Sequence, residues 1–229
     1  MSRILLRGLL LIGVLALGQD GSPRPASSPA LCLANYHEFK PAAIKVSLPE
    51  VQQPDEYSCG AASLMSILAY YGTGPEDYEV LKKKLGVTEK NGTNYHRMVR
   101  FAAEQGLQAN AKPKMTLAQL EQFLDEGKPV ICSIQAYDEH NPPEKRAEIY
   151  NKDDNGHYLV AIGYDDDNVY FMDPALTGRR GFLPKTEFES RWHDNEGTSE
   201  QPRRISHLGL VIWKPAGAAA YPRFARRID

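Results

Sequence analysis

The stretch Val51–Gly72, VQQPDEYSCGAASLMSILAYYG, constrains this chain more than any other. Leu64, Met65, Ile67, Leu68 and Tyr71 recur at helical spacing, and Gly72 supplies a helix stop. A polar, Pro-containing approach precedes the apolar run, and a single cysteine, Cys59, stands at the junction. Cys59 and Gly60 are therefore expected at or just before the first turn of a buried helix. A thiol there faces unpaired backbone N–H groups and the positive end of the helix dipole, both of which favour the thiolate. Gly60 reads as room for a substrate to approach the sulfur. Gln53 reads as a side chain that returns to the same spot and offers an amide N–H. The same residues also fit a buried cysteine opening an ordinary core helix. The choice between the two depends on what the rest of the chain brings to Cys59.

The chain has 229 residues. Met1–Gly18 carries Arg3 and Arg7, then an uncharged run from Gly8, and Ala16-Leu17-Gly18 fits a small-x-small cleavage site. A secretory signal peptide over residues 1–18 is expected, with Gln19 as the mature start; the alternative is an uncleaved N-terminal anchor. Residues 19–30 read as a flexible linker, opening on a Gly-, Pro- and Ser-rich segment. Residues 31–229 suffice for one domain with a real core. No other apolar run is long enough to span a membrane, so the mature chain is expected to hold no stable span. A net charge of −2 and a pI near 6.3 give no reason to expect nucleic acid.

Three cysteines make an odd number in a chain expected to be exported. With Cys59 free, Cys32 and Cys132 remain as a candidate disulfide. Cys132 lies in the apolar run Pro129–Ile134, and an inert buried thiol is the other reading.

After the first helix, Tyr78, Leu81 and Leu85 mark a second, ended by Gly86. Thr93-Asn94 caps a third, which ends at Gly106, and a short strand follows over Leu107–Ala111. Thr116-x-x-Gln119 is a capping box opening a fourth helix, closed by Gly127. The pattern then changes. Pro129–Ala136, His157–Tyr164, Val169–Met172 and Leu208–Trp213 read as strands, and Pro184–Trp192 as a short helix. Tyr137–Asn155 is a long, charged, Pro-containing loop. Helices followed by an antiparallel sheet predict an α+β fold, with the N-terminal helices packed on one side of the sheet.

A nucleophilic thiol needs a base, and the base needs an orienting partner. His157 opens one strand and Asp173 ends the next, so a hairpin sets an imidazole beside a carboxylate. Taken singly, His157 is an ordinary strand-end histidine and Asp173-Pro174 an ordinary strand terminator. The cysteine helix and the hairpin together point to a catalytic site made of Cys59, His157, Asp173 and Gln53. His96, His140, His193 and His207 show no ligand spacing, so neither a metal site nor a cofactor is expected.

Gln53, Cys59-Gly60, Ala62, Leu64 and Met65 at their spacing, Tyr71-Gly72, Gly156-His157-Tyr158-x-Val160 and Met172-Asp173-Pro174 resemble the bacteriocin-processing, or double-glycine leader, cysteine peptidases of the papain-like clan. The resemblance runs from about Val51 to Trp213. It implies a papain-like α+β fold, with Cys59 as nucleophile, His157 as base, Asp173 as orienter and Gln53 as oxyanion donor. It also implies a peptide or protein substrate and association with an exporter, because family members are often the N-terminal domain of a peptide-exporting transporter. This chain departs from that pattern. It carries no transporter span or ATPase motif, has an export signal of its own, and places Ser58 where the family often has Asp. Three readings follow: an exported thiol peptidase, an amidase or acyltransferase using the same triad on cell-wall or other peptides, and a peptide-binding module without catalysis.

Overall fold

The computed structural model describes residues 43–137, 150–176, 180–198 and 201–215, with 145 and 148 singly. The expected signal segment, the linker, Cys32 and most of the 137–155 loop lie outside them.

Four helices open the described chain. α1 (Cys59–Tyr70) is almost wholly buried, which explains its Gly-Ala-Ala-Ser opening: small side chains let neighbours approach on every side. Leu64, Ile67 and Leu68 are sealed from solvent, and each such burial contributes about 1.5–3 kcal/mol. α2 (Tyr78–Leu85) is capped by Asp77, whose carboxylate accepts from the N–H groups of Glu79 and Val80. Gly72 and Gly86 take φ values of 64° and 62° behind α1 and α2, the left-handed stops the sequence called for. α3 (Tyr95–Glu104) starts at Asn94, and β1 (Gln108–Lys112) follows it. α4 (Leu117–Asp125) shows the expected capping box, Thr116 and Gln119 each bonding the other's backbone N–H.

The rest is sheet: β2 (Val130–Gln135), β3 (Gly156–Tyr164), β4 (Asn168–Met172), β5 (Arg180–Pro184), β6 (His193–Thr198), β7 (Gln201–Ser206) and β8 (Gly209–Trp213), with α5 (Lys185–Arg191) between β5 and β6. Six strands form one antiparallel sheet in the order β1-β8-β2-β3-β4-β5, and β6 pairs with β7 apart from it. Successive strand residues point to opposite faces, yet β2 and β4 are buried at every position. Both faces are therefore covered. α1 lies against β3, tied by the Ser63 hydroxyl donating to the Tyr158 carbonyl (3.1 Å). The other face is closed at the β2–β3 end by the β6–β7 hairpin, through Ser133, Gln135 and Tyr158. Helices packed on one side were expected; the hairpin on the second side was not. Cys132 is a buried free thiol within β2; its candidate disulfide partner, Cys32, lies outside the described residues. No helix among the described residues is long and apolar enough to cross a membrane.

Candidate active site

The β3–β4 hairpin pairs Val160 with Met172, so His157 near the start of β3 and Asp173 just past β4 come together. His157 Nε2 lies 2.9 Å from Asp173 Oδ1, with both side chains almost fully enclosed. Asp173 Oδ1 also accepts the Ala175 N–H (2.9 Å), and Oδ2 accepts the Tyr137 hydroxyl (2.6 Å). Burial alone pushes the Asp173 carboxyl upward. The His157 hydrogen bond and charge, then Tyr137 and Ala175, outweigh it and hold the carboxyl below the ordinary range.

Cys59 begins α1 and is 7% exposed. Its Sγ accepts the Tyr158 N–H at 3.4 Å and lies near enough to His157 to act on the imidazole's pKa. Since Nε2 of that ring is committed to Asp173, Nδ1 is the nitrogen left for the thiol. Burial pulls the His157 pKa down. The hydrogen bond to Asp173, then the neighbouring Cys59 sulfur and the Asp173 charge, prevail and raise it to about 10. The imidazole is therefore held as its cation around neutral pH.

Ser58, the residue before α1, makes no side-chain cap; its hydroxyl accepts from Tyr78 instead (2.7 Å). The first-turn N–H groups beside Cys59 are thus left without a side-chain acceptor, as an anion-binding helix end requires.

Gln53 is partly buried and Gln52 exposed, the alternation expected of an extended approach. The Gln53 backbone N–H donates to Pro174 O (2.9 Å), which ties this segment to the Asp173 turn. Its Nε2 donates to Asp55 O (2.7 Å), so one amide hydrogen is committed there rather than to the thiol. Asp55 is fixed in turn by Lys82 of α2 and by the Tyr57 N–H.

The space beside Gly60 is not open to a substrate, contrary to the reading of the sequence. A Cβ there would lie 2.7 Å from Thr93 Cβ, and Thr93 is itself buried. Glycine is needed because the start of α3 packs against α1. Two further groups were not expected at the site, Tyr137 and the backbone N–H of Tyr158. Tyr137 directly follows the apolar run of β2, but nothing in its neighbours signals a contact with Asp173.

A model of the Peptidase_C39 like family matches residues 45–200, a span that takes in Gln53, Cys59, His157 and Asp173. The chain belongs to the Peptidase_C39 like family. It is 29% identical over 143 residues to the transport/processing ATP-binding protein ComA of Streptococcus pneumoniae R6, a match that covers 61% of this chain and only 17% of ComA. In fold it is similar to a C39-like protein of Bacillus anthracis, with a TM-score of 0.55 at 19% identity over 76% of this chain and 98% of that one. It is similar as well to a double glycine motif protease from an AMS/PCAT transporter, solved with its leader peptide, with a TM-score of 0.50 at 22% identity over 74% and 93%. The α+β architecture is thus that of the papain-like C39 peptidase domains, and family and fold support a cysteine peptidase.

Proposed function

We propose that this chain is an exported cysteine peptidase that hydrolyses peptide bonds through Cys59, His157 and Asp173, with Gln53 and the Cys59 backbone N–H at the oxyanion. The observation that carries this reading is the buried His157–Asp173 pair at 2.9 Å, with the Cys59 thiol at the start of α1 beside the same imidazole.

The Cys59 thiol proton rests on His157 Nδ1, and the sulfur attacks the scissile carbonyl carbon, forming a C–S bond. The oxyanion is stabilised by the Cys59 N–H and the second amide hydrogen of Gln53. His157 passes its proton to the leaving amine as the C–N bond breaks. A water molecule, deprotonated by His157, then cleaves the thioester to a carboxylic acid and restores the thiol. Asp173 holds the ring orientation and balances the imidazolium throughout.

The substrate is a peptide. A leader peptide is the class to test first, because the similar AMS/PCAT protease was solved bound to one. Association with a peptide exporter is proposed on the likeness to ComA. Export rests on Met1–Gly18, and mass spectrometry of the mature chain is expected to find a start near Gln19. Recovery of the full-length chain from the cytoplasm would rule export out.

The deciding experiment pairs thiol labelling near neutral pH with a peptide-library digest, using wild type and Cys59→Ala. Wild type labels at Cys59 far faster than a model thiol and cleaves peptides; Cys59→Ala does neither. A Cys59 that reacts at the model-thiol rate removes the enzymatic reading.

A further inference from the structure

Tyr137 stands two residues beyond the end of β2, where the chain leaves the sheet. Ala136 N–H donates to Asn155 O (2.9 Å) and closes the neck of the loop. Tyr137 takes φ of 62°, a backbone conformation that a bulky side chain rarely adopts. Two contacts accompany it. The hydroxyl donates to Asp173 Oδ2 at 2.6 Å, and the ring meets the His157 imidazole edge to face, with centroids 5.3 Å apart and planes at 85°. Phenylalanine would supply the ring alone; the hydroxyl is what reaches the carboxylate. Tyr137 is 42% exposed, but its hydroxyl is desolvated against Asp173; that desolvation first, and then the Asp173 charge, raise the phenol pKa above its usual value, so it remains a neutral donor.

We propose that Tyr137 is a positioning residue, whose ring sets the rotation of the His157 imidazole while its hydroxyl fills the remaining side of the Asp173 carboxylate. This rests on the peptidase reading for its effect on turnover, but not for its effect on His157. Without the hydroxyl, Asp173 keeps His157 and the Ala175 N–H, both on Oδ1, and Oδ2 loses a charge-assisted bond. The carboxylate is then less well held as an anion and supports the imidazolium less. The other titratable or charged groups around this cluster are Cys59 of α1, beside His157, and Arg191 of α5 with Tyr150, both on the Tyr137 side. All of them are kept in Tyr137→Phe.

The test uses the full chain and its Tyr137→Phe variant, which retains the ring and hence the fold. The His157 ring signal is followed by NMR titration and assigned by its loss in His157→Ala. In Tyr137→Phe, His157 is expected to titrate about one pH unit lower, and the alkaline limb of kcat/KM to move with it. kcat is expected to fall roughly tenfold with KM little changed, because the hydroxyl touches the base–orienter pair and not the substrate. Tyr137→Leu, which lacks the ring as well, is expected to lose more of kcat. An unchanged His157 titration in Tyr137→Phe overturns the proposal, whether or not peptides are cleaved. A shifted titration in a chain that cleaves no peptide upholds the positioning role and removes the peptidase reading instead.

Discussion

Two buried carboxylates flank the start of β3, and they behave in opposite ways. Asp173 lies on the side that His157 faces, and Asp194 of β6 on the side that Tyr158 faces. Asp173 has an imidazole for a partner and is held below its usual pKa. Among the described residues, Asp194 accepts from neutral donors: the Ser133 hydroxyl (2.8 Å), the Gln135 amide (3.2 Å) and the Asn195 N–H (2.8 Å). For Asp194, burial outweighs these bonds and pushes the carboxyl up to about 6, and the charge of Asp153 adds to the rise. Glu196 behind the Tyr158 hydroxyl is pushed to about 7 in the same way, by burial and then by Asp194. Enclosure is similar on both sides, so it does not decide the charge. A cation within hydrogen-bond reach does.

The comparison breaks most sharply in activity. Asp173→Asn is expected to lower kcat/KM by about 10²–10⁴-fold, because an amide can hold the wrong tautomer and does not balance the imidazolium. Asp194→Asn, on the opposite face, is expected to stay within about threefold, since it touches neither Cys59 nor His157. Equal losses in steady-state assays of the two variants would show that burial and not pairing sets their roles.

Next in size is Gln53→Ala, with an expected loss of roughly 10²–10³ in kcat, against a nearly silent Gln52→Ala. Labelling of Cys59 is expected to survive in both. A crippled Gln52→Ala beside a normal Gln53→Ala would shift the oxyanion donor by one residue.

Stability against pH separates the two faces as well. His157 is raised from 6.5 to about 10, so its contribution is complete below 6.5 and is lost as pH rises through 10. The depressed Asp173 contributes above its unfolded value of 3.8 and loses that contribution as pH falls through its lower folded pKa. Asp194 has the reverse sign. Its folded pKa of about 6 exceeds 3.8, so the folded state binds the extra proton and is destabilised as pH rises through that window. Urea titrations at pH 4 and pH 8 are expected to show Asp194→Asn removing about 2–3 kcal/mol of that loss. An identical pH slope in wild type and variant would contradict a raised Asp194 pKa in the fold.

The smallest effect concerns packing alone. Gly60→Ala is expected to cost about 1–3 kcal/mol in thermal or urea unfolding, because the buried Thr93 must move. A neutral result would reopen the space beside the thiol to substrate.

Much of this was legible in the residues. The α1 pattern, the Thr116–Gln119 box, the glycine stops and the β3–β4 hairpin are local features, written in spacing and turn chemistry. β5 and the β6–β7 hairpin were not legible. HDNEGT and QPRRIS carry no apolar alternation, and what draws β6 against the sheet is a set of polar contacts with Ser133, Gln135 and Tyr158, far away in sequence. Tyr137 escaped for a related reason. Its role depends on a positive φ and on a carboxylate 36 residues downstream, neither of which its neighbours record.

By itself, then, the sequence determined that a cysteine would open a buried helix and that a hairpin would set His157 beside Asp173, because turns and helix starts are short-range events. Tertiary structure alone decided that Gln53 is tied to Asp55 and Pro174, that Thr93 fills the space at Gly60, and that Asp173 is ionised while Asp194 is pushed toward neutrality. Those outcomes turn on which groups are within about 3 Å once water is gone, and only the packed chain fixes that distance.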